Sequence, residues 1–304
     1  MLRTPAVAGP FYSATAAALE DEVARCLDGS AQPRPMIAAI CPHAGLMYSG
    51  PVAGSVYSRI ALPETVILVG PNHTGFGPAV SVYPEGAWQM PGGAVTINRE
   101  LVEKILALCP HAEADTSAHQ REHCLEVQLP FLQNRRRQVR IVPIVLGMRD
   151  PALCRAIGDC LAAVIAQSAG TAGGQPLLVA STDMNHYESD TITREKDRHA
   201  IEAIERLDPD RLDAVVTTRR ISMCGIAPTL AVLHAARALG ATGATLVRYA
   251  TSGDRNEDRA RVVGYAGFTI NGSGRPQQHS PNLSECLTEQ ADSDNYTPIA
   301  VPKG

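Results

Sequence analysis

Two histidines and a cysteine stand at points where the chain turns. Pro42-His43-Ala44-Gly45 closes an apolar run at 36–41, Pro71-Asn72-His73-Thr74-Gly75 follows another at 65–69, and Met223-Cys224-Gly225 comes after polar residues. A third run, 176–180, leads into Ser181-Thr182-Asp183-Met184-Asn185-His186-Tyr187. Short apolar runs closed by Pro and Gly have the pattern of buried strands, and ligands in open α/β sheets bind beyond the carboxyl ends of the strands. His43, His73 and His186 are therefore expected at one sheet edge. Neutral imidazole is the commonest metal ligand and thiolate suits soft or borderline metals, so His43, His73 and Cys224 can form a three-ligand metal site. Structural zinc fills four places, whereas three protein ligands leave room for water, oxygen or substrate. Taken singly, a turn histidine is most often a surface or hydrogen-bonding residue. The repeated strand-end position is what argues for a shared site.

Around this set stand further candidates. His186 is placed to act as a general base, with Asp183 three residues earlier either orienting an imidazole or merely opening a turn. Glu122, His123 and Glu126 fall on an expected helix where His123 and Glu126 share a face, as catalytic groups or as an ordinary polar surface. Cys224 with a histidine base also remains a candidate nucleophile. There is no G-x-S-x-G elbow for Ser181, and Gly70-Pro71-Asn72-His73-Thr74-Gly75-Phe76-Gly77 lacks the lysine of a phosphate loop. No dinucleotide fingerprint is present.

The elements that must position these groups alternate along the chain. Ser13 is expected to cap a helix over 14–27, strand 36–41 follows, then a helix over 50–59 and strand 65–69, a β-α-β unit that favours a parallel pair. A short strand at 79–83, a helix over 99–109 capped by Asn98 and a helix over 122–133, kinked or restarted at Pro130, come next. Pro143 argues that strand 140–146 is an edge strand or bulged. Asp150-Pro151 and Asp208-Pro209 each have the form of an N-cap followed by the first helical residue. A helix over 192–207, one from Pro228 to 239, and strands at 245–249 and 261–270 complete a single α/β domain over 1–271. Trp88, in the 84–93 loop, is expected in the core, with the wall of the site as the alternative. Beyond 271 the chain is polar and aperiodic, and 272–304 reads as a disordered tail. It holds two sequons, beginning at Asn282 and Asn295, expected to be idle.

Composition narrows the classes. The 304 residues are 45% hydrophobic, enough for a buried core, and 27 Lys+Arg against 31 Asp+Glu give a net charge of -4. That balance lacks the basic footprint of a nucleic-acid binder, and Arg135-Arg136-Arg137 is expected on a solvated helix end. No segment approaches the roughly 20 apolar residues of a membrane span, and no signal peptide is evident, so a cytoplasmic location is expected. The eight cysteines contain no C-x-x-C pair, and most are expected as packed, reduced thiols.

Six segments in order resemble the MEMO1 family, whose bacterial members are also called AmmeMemoRadiSam system protein B. They are Ala8-Gly9-Pro10-Phe11-Tyr12, Pro42-His43-Ala44-Gly45, Gly70-Pro71-Asn72-His73, Glu122-His123-Cys124-Leu125-Glu126-Val127-Gln128-Leu129-Pro130-Phe131, Ser181-Thr182-Asp183 with His186-Tyr187, and Cys224-Gly225. The resemblance implies a central, mostly parallel mixed sheet flanked by helices, similar to the LigB-type subunit of class III extradiol dioxygenases, which are non-haem iron enzymes. It implies that His43, His73 and Cys224 fall on metal-ligand positions and His186 on that of a base. Where those dioxygenases complete their triad with a carboxylate, this chain offers Cys224. A thiolate shifts preference toward copper, zinc or thiolate-tuned iron and away from ring cleavage. One metal ion per chain is expected, iron or copper favoured and zinc admitted. The family context implies a radical-SAM protein and an AMMECR1-type protein as partners.

Three functions follow from the residues and the resemblance together. The first is a metal-dependent, oxidoreductase-like protein acting on an unknown small molecule or peptide. The second is a binding module that uses the same pocket for a peptide or partner protein. The third is a zinc-type hydrolase.

Overall fold

The computed structural model describes residues 1–168 and 174–272. From residue 273 onward the expected tail, with both sequons, lies outside the described residues. The first half of the chain forms β1 (Leu2–Arg3), α1 (Ala16–Cys26), β2 (Ala38–Cys41), α2 (Leu46–Ser58), β3 (Thr65–Pro71), β4 (Val80–Val82), β5 (Ala87–Met90), β6 (Gly93–Ile97), α3 (Arg99–Leu108), β7 (Glu113–Ala114) and α4 (Leu129–Arg135). The second half forms β8 (Arg140–Leu146), α5 (Pro151–Gln167), β9 (Leu177–Ser181), β10 (His186–Glu188), α6 (Asp190–Glu205), α7 (Pro209–Thr218), α8 (Ile226–Ala238), β11 (Ala241–Thr251), α9 (Gly253–Asn256) and β12 (Val262–Gly272).

All of the strands join one mixed sheet, with the order β1-β5-β6-β8-β3-β9-β2-β12-β10, while β11 pairs with β12 and β4 with both β7 and β8. Its centre, β6-β8-β3-β9-β2, is parallel throughout. Strands covered on both faces read as unbroken apolar runs rather than alternating ones, and β2, β3 and β9 are buried at every position. Helix α2 lies on β2, β11 and β12 and packs on α1 and α4, while α8, itself packed on α5, lies on β2, β3, β8 and β9. At the α5–α8 crossing Gly158 is required, because a Cβ there would stand 2.6 Å from both the Ala231 carbonyl oxygen and the His234 Cβ. Burying each large aliphatic of α8, such as Leu230 or Leu233, contributes about 1.5–3 kcal/mol. Among the described residues no helix is long and apolar enough to cross a membrane.

Local signals hold where they are local. Asn98, Asp150 and Asp208 each accept backbone N–H bonds at the start of their helices. Arg135, Arg136 and Arg137 are exposed at the end of α4, and Trp88 is fully buried in the core. Other expectations are corrected. Ser13 does not cap α1; the N-cap is Thr15, without a side-chain bond, and the Ser13 N–H donates to Glu22. Helix α2 starts at Leu46 with Pro51 inside it, not at 50. β2 and β3 run parallel but are not paired, because β9 lies between them. β8 is an interior strand: β3 runs along one side, and the other is shared by β6 at Arg140–Ile141 and β4 at Ile144–Leu146. Pro143 sits at the seam between those two partners, where a missing N–H breaks no ladder bond. The expected helix over 122–133 is turns, a 3₁₀ segment at Glu126–Gln128 and then α4. Among the described cysteines, Cys26, Cys41, Cys124, Cys154 and Cys224 are free thiols, but Cys109 and Cys160 form a disulfide joining the end of α3 to α5.

Candidate metal centre

The adjacent strands β3, β9 and β2 end at one edge of the sheet, so Asn72-His73, Thr182-Asp183 and Pro42-His43 leave it side by side. Cys224 arrives from the other direction, immediately before Gly225, the N-cap of α8. A Cβ at Gly225 would stand 2.5 Å from both the Ser181 carbonyl oxygen and the Thr182 Cβ, so glycine lets α8 begin directly against the end of β9. The result is that ligand atoms of His43, His73 and Cys224 lie within 4.8 Å of one another. Cys224 Sγ is 3.3 Å from His43 Nε2.

Buried hydrogen bonds decide which nitrogen each ring presents. Ser181 Oγ donates to the Cys124 carbonyl at 2.7 Å and accepts from Gln128 Nε2 at 2.9 Å, so His43 Nδ1, 2.9 Å away, must donate to it. Gln128 is itself fixed, because Nε2 also donates to the Pro42 carbonyl and Oε1 accepts from the Tyr57 hydroxyl. His43 therefore holds its proton on Nδ1 and turns a bare Nε2 toward Cys224. His73 Nδ1 lies 2.9 Å from Glu122 Oε1, which likewise leaves Nε2 free. A carboxylate behind a ligating imidazole fixes its orientation and raises its basicity, an arrangement common at metal sites.

The electrostatics fit a cation. Burial, aided by His123 and His73, holds His43 well below the usual histidine range, so it is neutral at pH 7. Burial also pulls His73 down, but the Glu122 carboxylate outweighs it and the net shift is upward. Burial raises Glu122, yet bonds from His73 and from backbone N–H groups outweigh that and lower it to about 2. The Cys224 thiol is pushed up by burial and by Asp183, although the Asp183 N–H donates to Sγ at 3.2 Å. A cation would reverse that penalty, because a coordinated thiol loses its proton. The second cluster, His73, Glu122 and Cys124, is less suited. The Glu122 oxygens already accept from His73, His123 and Cys124, and Cys124 Sγ donates to the Pro71 carbonyl.

His43, His73 and Cys224 line a cavity of about 680 Å³, together with His123, Asp183, His186, Phe11, Met47, Tyr48 and Tyr187. His123 stacks on His73 with ring centroids 4.6 Å apart and meets Phe11 at 4.9 Å. Of the candidates read from sequence, His43, His73, His123, Asp183, His186 and Cys224 are thus brought together. Glu126 is not. It is completely buried at the start of the 3₁₀ segment, outside the residues that line the cavity, paired with Arg3 at 2.6 Å and accepting from Tyr12, Ala6 and Val7. The expected face shared by His123 and Glu126 fails because residues 122–125 are not helical. Asp183 does not orient His186 either. Its carboxylate accepts the His43 N–H at 2.8 Å, and the partner of His186 is Ser222. Sequence reasoning missed Ser181, Gln128, Asn185 and Ser222. A signal existed for Gln128, a lone amide among the otherwise apolar residues 127–132.

A sequence profile described as Memo-like protein matches residues 3–269. MEMO1 family proteins of Methanosarcina mazei and Aquifex aeolicus are 40% and 41% identical over 271 and 273 residues, in each case 88% of this chain and 99% and 98% of the relative. A third, from Thermotoga maritima, is 39% identical over 87% of this chain and 98% of its own length. Among solved structures, the uncharacterized protein JW3007 from Escherichia coli K12 superposes with a TM-score of 0.51 at 13% identity, covering 76% of this chain and 99% of that one. That likeness speaks to the fold alone. The profile match and the near-complete overlap with these relatives show that the chain belongs to the MEMO1 family.

Proposed function

We propose that this protein is a metal-dependent, oxidoreductase-like member of its family, binding one metal ion per chain through His43 Nε2, His73 Nε2 and the Cys224 thiolate. The observation that carries the reading is the pair of imidazoles whose Nδ1 atoms are already bonded, so that two bare nitrogens and a thiol converge at the floor of one cavity. Iron or copper is favoured by the thiolate, with zinc as the alternative. Such a metal would supply Lewis acidity, a redox couple and open coordination positions. The chain's own groups do the rest. His186 takes a proton at the cavity wall, His123 borders the centre beside His73, and Asp183 fixes the His43 backbone while adding negative charge nearby. Phe11, Met47, Tyr48 and Tyr187 give the cavity an apolar rim that holds the body of a substrate.

That rim also favours a second reading, a binding module for a peptide or partner protein, because Met47 and Tyr187 are 64% and 65% exposed. The deciding measurement is elemental analysis of untagged protein purified without oxygen, wild type beside Cys224→Ser. About one iron or copper per chain, lost in the variant, supports the proposal. Tight zinc with no redox metal refutes the redox reading and favours a zinc-type hydrolase. No metal in either folded protein refutes it and leaves the binding module.

A further inference from the structure

His186 is held from behind by a residue other than any metal-ligand candidate. Its Nδ1 lies 2.8 Å from the Ser222 carbonyl oxygen, which can only accept, so Nδ1 carries the proton and Nε2 a lone pair. The His186 backbone N–H donates to Ser222 Oγ at 2.7 Å. Ser222 is fixed in turn by Asn185, whose Oδ1 accepts from both its N–H and its hydroxyl at 3.1 Å. The rest of Asn185 is occupied as well. Nδ2 donates to Glu188 at 2.7 Å and to Thr193 at 3.3 Å, its backbone N–H donates to Asp197, and its carbonyl accepts from the Gly264 N–H. The side chain is fully buried. A flipped amide would set N–H against the Ser222 N–H and oxygen against the Glu188 carboxylate, so its orientation is determined by its partners.

We infer that Asn185 is the positioning residue for His186: through Ser222 it locks the Nδ1–H form and presents a bare Nε2 to the cavity. The inference rests on the reading of His186 as the proton acceptor of the site. It also defines the ligand at that point. A bare nitrogen accepts a hydrogen bond, so the group placed against it is an O–H or N–H donor such as a hydroxyl, a phenol or an amine. A group offering only lone pairs is rejected there, because two acceptors would be left facing each other.

The test uses the full chain, metal-free, with ¹⁵N-labelled histidine, and reads the ring tautomers by long-range ¹H–¹⁵N correlation at a pH where the rings are neutral. The wild type is expected to show His186 as Nδ1–H. Asn185→Ala should convert it to a mixture rich in Nε2–H, the form histidine favours in water, while His43, locked by Ser181, stays unchanged. Ser222→Ala, at an exposed position, should shift His186 the same way by a smaller amount. The double variant Asn185→Asp with Glu188→Gln keeps an acceptor facing Ser222 and reverses the second bond, the amide at 188 now donating to the carboxylate at 185, and should restore Nδ1–H. An Nε2–H ring in the wild type, or full retention of Nδ1–H in both Asn185→Ala and Ser222→Ala, overturns the inference. If Asn185→Ala does not fold, Ser222→Ala decides alone. Since the readout needs neither metal nor turnover, its failure is separable from failure of the metal analysis.

Discussion

Replacing Glu126 by alanine should unfold the protein far more readily while removing nothing from the cavity. Four donors converge on this carboxylate: Arg3 Nη1 and the Tyr12 hydroxyl at 2.6 Å, and the Ala6 and Val7 N–H groups at 2.8 and 3.0 Å. Both side chains of the Arg3–Glu126 pair are 0% exposed. Removing one partner of such a pair costs about 3–5 kcal/mol, because the other charge is left buried without compensation. The Tyr12 hydroxyl, deprived of its charged acceptor, adds about 1 kcal/mol. With a urea slope of about 3 kcal/mol/M, the unfolding midpoint should fall by about 1–2 M. Circular dichroism in urea at pH 7 measures it. A loss below about 1 kcal/mol would refute the reasoning, since it would mean that Arg3 reaches water or another anion. The double variant Arg3→Met with Glu126→Leu should recover only the part of the loss that comes from the uncompensated charge, because the Tyr12 hydroxyl, the Ala6 and Val7 N–H groups and the His119 and Glu122 carbonyls still lose their partners. Arg3 also donates to the carbonyls of His119 and Glu122, both at 2.7 Å, and lies 4.1 Å from the Trp88 ring. Glu126→Ala should therefore loosen the loop that carries Glu122 and His123, and metal affinity should drop along with stability. A catalytic role for Glu126 would give the opposite pattern, a stable protein with intact metal binding and lost turnover.

Three other perturbations test the site and its surroundings. Glu122→Gln sets an amide N–H against donors that the carboxylate now accepts, and metal affinity in chelator competition should fall about 10–100-fold. Because the folded carboxyl sits at about 2 against an ordinary 4.5, its stabilisation is complete above pH 4.5 and fades as pH falls toward 2. Asp197 has the opposite sign: burial raises it from 3.8 to about 7 against bonds from Tyr249 and Asn185, so stability falls as pH rises from 4 to 7. That span corresponds to roughly 4 kcal/mol, and Asp197→Asn should regain much of it at pH 8 in urea titrations while changing little at pH 4. Gly225→Ala should push the start of α8 off β9 and displace Cys224, so metal occupancy should be lost while circular dichroism still reports a folded sheet. Full occupancy in that variant would mean that the helix start is not held where the structure places it.

What could be read from sequence is what depends on neighbours in the chain. The strand-end positions of His43 and His73, the glycine after Cys224 and the caps at Asn98, Asp150 and Asp208 are local facts, and the fold keeps them, with His43, His73 and Cys224 gathered at one sheet edge. The misreadings share a different cause. Pro143 looks like an edge residue until β4 and β6 are seen to meet beside it, and Glu122 and Glu126 look like one helical face until each is seen serving a distant partner, His73 in one case and Arg3 in the other. The groups that orient the site are hidden for the same reason. Ser181, Gln128, Asn185 and Ser222 are residue types that mostly lie on surfaces, and only the bonds around them show that their donors and acceptors are committed. A sequence names the atoms that could bind or take a proton. Which nitrogen of each histidine is free to do so is decided by a serine hydroxyl, a glutamate and a backbone carbonyl contributed from elsewhere in the fold.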